Sequence, residues 1–297
     1  MTEKISFATL PDRAVMTLKG PDAPAFLQGL LTKDVNAISP DQSIYTALLT
    51  PQGKVLFDFF IAQTTDGFLL DVEAARQDAA LKRLSLYKLR AKVDIAPAPD
   101  WRVAAIFNDT PDRDAAPGAT RPHNGSGARF ADPRCAALGT RLIAPTEEIA
   151  GLTDECRETD AAAYNARRLD LGVPACPEDI RPEVSFPLDA NLDMLNAIDF
   201  QKGCYVGQEV TSRMKRKAAL RKRTLVLDFD GPPPPPGAPV TAGAREIGTV
   251  LSGTMGRALA LIRLDRWSAA EEDGATPAAD GRPVRILRQD WLKDDAS

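Results

Sequence analysis

Short strand-like runs broken by single amphipathic helices, a proline-studded stretch that cannot be helical, and five consecutive prolines followed by glycine-punctuated strands predict an α+β protein of mostly antiparallel sheet. Ile5 to Leu18 alternates in short apolar runs and predicts paired strands. Gly20-Pro21-Asp22 then turns the chain, with Asp22 placed to cap a helix from Ala23 to Leu31. Ser43 to Leu49, Lys54 to Ile61 and Phe68 to Val72 predict a three-stranded meander, joined by the turns Pro51-Gln52-Gly53 and Thr65-Asp66-Gly67. A helix from Ala74 to Tyr87 is expected to bury Ala75, Ala79, Leu81, Leu84 and Leu86 and to turn Arg76, Asp78, Lys82 and Arg83 to water. Two further strands are expected at Ala91 to Ile95 and Trp101 to Phe107.

Pro111 to Gly127 is crowded with Pro, Gly, Asp and Arg and reads as a loop. After an extended run from Phe130 to Leu142, a helix is expected over Thr159 to Leu171, capped by Thr159 or Asp160 and stopped at Gly172 with Pro174 beyond. Pro174 to Pro187 holds four prolines and must be an extended excursion. Pro232 to Pro236, bracketed by Gly231 and Gly237, marks a loop tip or a linker, and Pro239-Val240, Gly248 to Leu251 and Ala258 to Arg263 predict a small all-β module.

The 297 residues suit about two domains, and 44% apolar with 26% charged residues describes an ordinary globular chain. No stretch approaches the ~20 apolar residues that span a bilayer, and the first residues lack the layout of a secretory signal, so a cytoplasmic location is expected. Cys135, Cys156, Cys176 and Cys204 are too widely spaced for a C-x-x-C element, so no resident metal is expected. The single histidine, His123, leaves no H-E-x-x-H motif and, in a loop, no Ser-His-Asp pair. Chemistry must come from carboxylates, lysine, arginine, backbone dipoles or a lone thiol.

A net charge of −4 argues against a nucleic-acid-coating protein, and no stable nucleic-acid complex is expected. One basic run, Arg213, Lys215, Arg216, Lys217, Arg221, Lys222 and Arg223, is either a solvated helix end and loop or an anion-attracting patch for an acidic partner, a polyglutamate tail or RNA.

The run Gln201-Lys202-Gly203-Cys204-Tyr205-Val206-Gly207-Gln208-Glu209 concentrates the chemistry. Glycines on both sides of a thiol relax the backbone and open access to the sulfur. The Lys202 ammonium is a cation near a thiol, and such a neighbour favours the nucleophilic, metal-ligating thiolate. The other reading is a structural turn in which Cys204 is a small buried hydrophobe.

That K-G-C-Y-x-G-Q-E motif resembles the YgfZ-type folate-binding proteins, relatives of the glycine cleavage T-protein and of a mitochondrial iron-sulfur assembly factor. Arg168-Leu169-Asp170-Leu171-Gly172-Val173-Pro174, Asn191-Leu192 and Leu49-Thr50-Pro51-Gln52-Gly53-Lys54 leading to Asp58 carry the same resemblance, as does Gly248-Thr249-Val250 with Ala258-Leu259-Ala260. It implies a three-part ring around a central channel: an α+β part over 1–48 with 138–222, an inserted ferredoxin-like part over 49–137, and a C-terminal β-barrel over 223–297. It further implies tetrahydrofolate as cofactor, with Asp58, Asp170, Asn191, Lys202, Gly203, Tyr205, Gln208 and Glu209 as contacts and Cys204 with Lys202 as the catalytic pair. Phe57 stands where the T-protein has the first residue of an acidic pair, which disfavours aminomethyl transfer. The expected function is a folate-binding accessory role in iron-sulfur cluster assembly or repair, serving cluster enzymes including tRNA-modifying ones, with scaffold or client proteins as partners. The alternatives are a folate-dependent one-carbon transferase and a folate-sensing or RNA-binding module.

Overall fold

Runs rich in β-branched and aromatic residues build two sheets in the first of two units into which the chain divides, Met1–Pro51 with Leu56–Tyr164 and Leu195–Val206. The computed structural model describes residues 5–108, 116–123, 127–154, 156–216 and 220–292. In chain order the first unit holds β1 (Ser6–Thr9), β2 (Arg13–Lys19), α1 (Ala23–Gln28), β3 (Ile44–Leu49), β4 (Val55–Thr64), β5 (Gly67–Glu73), α2 (Gln77–Lys88), β6 (Asp94–Pro97) and β7 (Trp101–Phe107). It continues with β8 (Thr120–His123), β9 (Gly127–Ala131), β10 (Thr140–Pro145), α3 (Thr146–Ala150) and β11 (Arg157–Glu158), and α4 (Ala161–Asp170) leads out of it.

One sheet has the order β3-β4-β5-β2-β6 and the other β11-β1-β7-β10-β9-β8. The expected β3 to β5 meander is present. The pairing expected within Ile5 to Leu18 is not. Leu10 N–H bonds to Val103 O, which extends the β1 to β7 ladder and commits β1 to the second sheet, while β2 pairs with β5 and β6 in the first. His123 ends the edge strand β8 rather than lying in a loop. The rest of the expected loop lies partly outside the described residues, at 109–115 and 124–126.

Two helices depart in detail from expectation. Asp22 has backbone angles of φ −93° and ψ 3°, not the extended geometry of a capping residue, and its carboxylate instead accepts Lys92 N–H at 2.7 Å. A 3-10 turn over Ala74–Arg76 precedes α2, and the apolar residues expected to be buried do not share one face of the helix. Ala80 and Leu84 are buried with Leu81 and Tyr87 beside them, whereas Ala75, Ala79 and Leu86 are exposed. Arg76, expected in water, donates to Leu56 O at 2.6 Å and lies 4.5 Å from the centre of the Phe57 ring.

The second unit comprises Gln52–Val55, Asn165–Met194 and Gly207–Ser297. It contains α5 (Gln208–Arg216), β12 (Lys222–Asp228), β13 (Pro239–Ala242), β14 (Arg245–Thr254), β15 (Arg257–Arg263), α6 (Leu264–Glu272), β16 (Pro277–Ala279), β17 (Arg282–Pro283) and β18 (Arg285–Leu287). Its seven strands form a nearly closed barrel sheet in the order β17-β16-β13-β14-β15-β12-β18. Leu227, Val240, Ile247, Ala260 and Ile262 fill its core. The module is not all-β: Leu264, Trp267 and Ala270 recur at helical spacing and seat α6 on that core. Asp160 caps α4 through Ala163 N–H at 2.9 Å and Gly172 at φ +69° ends it, whereas Pro174 to Pro187, expected to be extended, folds into successive turns closed by bonds such as Asp179 N–H to Ala175 O and Ser185 N–H to Arg181 O. Among the described residues no helix is long and apolar enough to cross a membrane.

Candidate functional site: an exposed thiol beside a buried lysine

The cysteine motif runs across the division of the chain, with 202–206 in the first unit and 207–209 in the second. Cys204 is exposed, and a Cβ built on Gly203 meets no atom within 4 Å. The thiol segment is therefore open rather than packed. What fixes it is Lys202, which is buried and donates to three backbone carbonyls, Gln28 O at 2.9 Å, Leu31 O at 2.6 Å and Lys33 O at 2.9 Å. These carbonyls lie at and beyond the C-terminal end of α1, where helix geometry leaves acceptors unpaired and favours a cation. All three ammonium protons are thus committed, and the residue read as a tuner of the thiol is an anchor of its segment. The Tyr205 ring is buried, with the same ammonium 5.4 Å from its centre.

Burial pushes Lys202 down to about 8, although the charges of Asp34 and Asp199 pull it up. Lys202→Met leaves three carbonyls without a donor and is expected to cost about 2–4 kcal/mol in urea unfolding at pH 7. The folded-state value lies below the usual 10.5, so between about pH 8 and 10.5 the unfolded chain holds the proton that the folded chain has released. Through this group stability rises with pH across that window. The gap between wild type and Lys202→Met should be wider at pH 9.5 than at pH 7; a gap that narrows contradicts the assignment.

Asp58, expected to face folate, is 2% exposed and already engaged. Arg13 Nη1 donates to its Oδ1 at 3.2 Å and Tyr45 Oη to its Oδ2 at 3.1 Å. It belongs to a buried ionic network of the first unit. Asp71 takes Arg13 Nε at 2.6 Å and Arg141 Nε at 2.5 Å; Arg134 makes a two-pronged pair with Asp132 at 3.0 and 2.8 Å and reaches Tyr164 Oη at 3.0 Å. The guanidiniums of Arg141, Arg134 and Arg13 lie 3.8, 4.8 and 5.5 Å from the centre of the Phe60 ring. Burial opposes these charges, yet Asp58 and Asp71 hold Arg13 above the usual arginine range, and Asp132 does so for Arg134. Phe57 is buried beneath Arg76, so no ionisable group stands there.

In the second unit Asp170 is 62% exposed and pairs on one oxygen with Arg257 at 3.3 Å rather than with Arg167 or Arg168. Arg168 is buried, donating to Val173 O and Asp179 Oδ2, both at 2.7 Å, and to Asn165 Oδ1. Asn191 is fully buried at φ +59°, with Nδ2 donating to Thr224 O at 2.7 Å. Among the described residues its Oδ1 has no hydrogen-bond partner, nor has Oε1 of the buried Gln289, whose amide nitrogen shares the Thr224 carbonyl at 3.2 Å. Gln208 is half-buried in the first turn of α5, and Glu209 beside it is exposed and reaches Arg213 at 3.3 Å.

The basic run is no uniform patch. Arg223 is buried and held by Asp193 at 2.6 and 3.1 Å, Lys215 lies 3.6 Å from the same carboxylate, and Lys217 is outside the described residues. Among the described residues no group of three or more His, Cys, Asp and Glu could hold a metal ion. Sequence reasoning missed Arg13, Asp71, Asp132, Arg134, Arg141 and Gln289. A signal existed for one: Asp71 interrupts the apolar run Phe68-Leu69-Leu70-Asp71-Val72, where a carboxylate persists only if paired.

The family described as "GCVT N-terminal domain" matches residues 12–106, and that described as "CAF17, C-terminal beta-barrel domain" matches residues 221–294. The crystal structure of glycine cleavage system aminomethyltransferase T from Bartonella henselae shares the fold at a TM-score of 0.78, covering 98% of this chain and 87% of that one at 17% identity. Iron-sulfur cluster assembly factor IBA57, mitochondrial, from Homo sapiens is 34% identical over 277 residues, 87% of this chain and 76% of that protein. The Mus musculus protein of the same name is 32% identical over 86% of this chain and 76% of its own, and the Pyricularia oryzae homolog 33% over 97% and 85%. These relatives are named mitochondrial, which overturns the expected cytoplasmic location. At this identity and coverage, the chain belongs to the IBA57 family of iron-sulfur cluster assembly factors, within the glycine cleavage T-protein superfamily.

Proposed function

We propose that the protein is a tetrahydrofolate-binding accessory factor of the YgfZ type in iron-sulfur cluster assembly or repair. Cys204 is its working thiol, and cluster enzymes, tRNA-modifying ones among them, are its clients. The observation that carries this reading is the openness of Cys204 on a segment clamped by Lys202. One thiol cannot hold a cluster alone, so the cluster is a cargo shared with a scaffold or client protein. Cys204 enters as thiolate, replaces one ligand on iron, and leaves when the next protein's ligand replaces it; no electron changes hands.

The residues fit reduced folate in part. Both Asp58 oxygens are occupied, but the second oxygen of Asp170 and the buried Oδ1 of Asn191 retain acceptor capacity for pterin N–H groups. When bound, tetrahydrofolate would supply a reducing pterin. The one-carbon transferase reading loses support from Phe57, whose place in the core leaves no acid at that position.

Anaerobic titration with tetrahydrofolate, read by tryptophan fluorescence and by the rate of Cys204 alkylation with iodoacetamide, tests this. Saturable binding that changes the alkylation rate is expected, with Asp170→Asn and Asn191→Leu each weakening it about tenfold. Absence of binding removes folate from the reading; binding that leaves the thiol's reactivity unchanged separates folate from the thiol.

A further inference from the structure

The outer face of α2 and the turn after it carry unpaired cations around uncovered leucines. From Ala79 to Val93 the chain has no acid, yet Lys82, Arg83, Lys88, Arg90 and Lys92 fall within that stretch. Among the described residues the side chains of these five make no hydrogen bond, ion pair or ring contact. The nearest acids in sequence or in contact lie at its margins: Asp22 takes the Lys92 backbone N–H at 2.7 Å, Asp78 is in the first turn of α2, and Asp94 stands opposite Lys19 of β2. The stretch is therefore locally basic in a chain of net charge −4. Ala80 and Leu84 point to the core, which leaves Lys82 and Leu86 on the opposite face with Arg83 flanking them. Leu86 is 64% exposed, and Leu89, which ends the helix, is 89% exposed. Leu89 sits at φ +44°, a left-handed backbone unfavourable to leucine, and its side chain is in solvent rather than in the core.

A cluster of free cations calls for an anionic surface, and two protruding leucines call for hydrocarbon that takes them without a matching pocket. We propose that this face docks on an anionic lipid bilayer, with Lys82, Arg83, Lys88, Arg90 and Lys92 among the headgroups and Leu86 and Leu89 at the acyl boundary. The docking is peripheral, since no described helix is long and apolar enough to cross a membrane. A nucleic-acid backbone would answer the cations but leave the leucines in water, and an acidic protein would need a pocket shaped to both. The proposal stands apart from the assembly role, since it uses neither Cys204 nor the folate acceptors.

Co-sedimentation of the full chain with vesicles of phosphatidylcholine and phosphatidylglycerol in equal parts, against vesicles of phosphatidylcholine alone, tests it. Saturable binding to the first is expected, about tenfold or more tighter than to the second and weakened by salt. Each cation near an anionic leaflet is worth about fivefold, so Arg90→Gln combined with Lys92→Gln should weaken binding about twentyfold. Leu89→Gly removes an inserted side chain and should weaken it about tenfold without lowering the melting temperature, because glycine accepts the φ +44° backbone. No sedimentation with anionic vesicles, equal binding to both vesicles, or variants that bind like wild type would overturn the proposal. Binding to poly-L-glutamate with none to vesicles would also overturn it and assign the face to an acidic protein.

Discussion

Asp71→Ala is expected to lower the unfolding free energy by about 3–5 kcal/mol, because removing one partner of a buried pair leaves the other charge uncompensated. Two charges are stranded here. Arg13 and Arg141 meet the two oxygens of Asp71 at 2.6 and 2.5 Å, and Asp71 is wholly buried. Neither guanidinium can shed its proton to escape, since arginine stays charged in proteins. Asp58→Asn removes less, as its contacts of 3.2 and 3.1 Å include only one cation and the amide keeps the side chain's shape; about 1–2 kcal/mol is expected. Arg141→Met in the Asp71→Ala background should restore part of the loss, because a thioether stem can still pack on Phe60. Urea unfolding followed by circular dichroism measures all of these. A loss under about 1 kcal/mol for Asp71→Ala would mean that water reaches the network and that it does not hold the two sheets of the first unit.

That network also shows what could be read in the sequence and what could not. The meander from Ile44 to Glu73 and the glycine-punctuated strands of the barrel sheet were legible, because short apolar runs rich in β-branched and aromatic residues, bounded by turn residues, are local signals. The partner of each strand was not local: β1 and β2 are neighbours in sequence and belong to different sheets. Helix α2 was visible but its buried face was not, since Ala79 and Leu86 lie on the opposite side of the helix from Leu84 and its apolar residues form no single stripe. The same division runs through the site. The openness of Cys204 followed from its adjacent glycine, whereas the bonding of Lys202 depends on carbonyls about 170 residues earlier in the chain. Asp58 was singled out for its motif, yet its partners Arg13 and Tyr45 reach it only through sheet register.

Cys204→Ser is expected to leave the protein folded and to abolish its work. The side chain is exposed, so stability should change by no more than about 0.5 kcal/mol. A hydroxyl is nearly isosteric with a thiol but does not ionise near neutrality and is a hard ligand, poorly matched to iron in a cluster. In a deletion strain, Cys204→Ser should therefore return cluster-enzyme activity to no more than about a tenth of that given by wild type. Asp58→Asn is the companion experiment. If folate chemistry at an acidic centre were the protein's work, Asp58→Asn would silence it and Cys204→Ser would not. Under the assembly reading the order is reversed, with Asp58→Asn retaining function at growth temperatures that its reduced stability tolerates. Lys202→Met separates openness from order at the thiol. Releasing the segment from the α1 carbonyls leaves Cys204 exposed but no longer held, so activity should fall while iodoacetamide still alkylates the thiol at the wild-type rate or faster. Full activity in Lys202→Met would show that an accessible sulfur suffices and that the clamp serves stability alone.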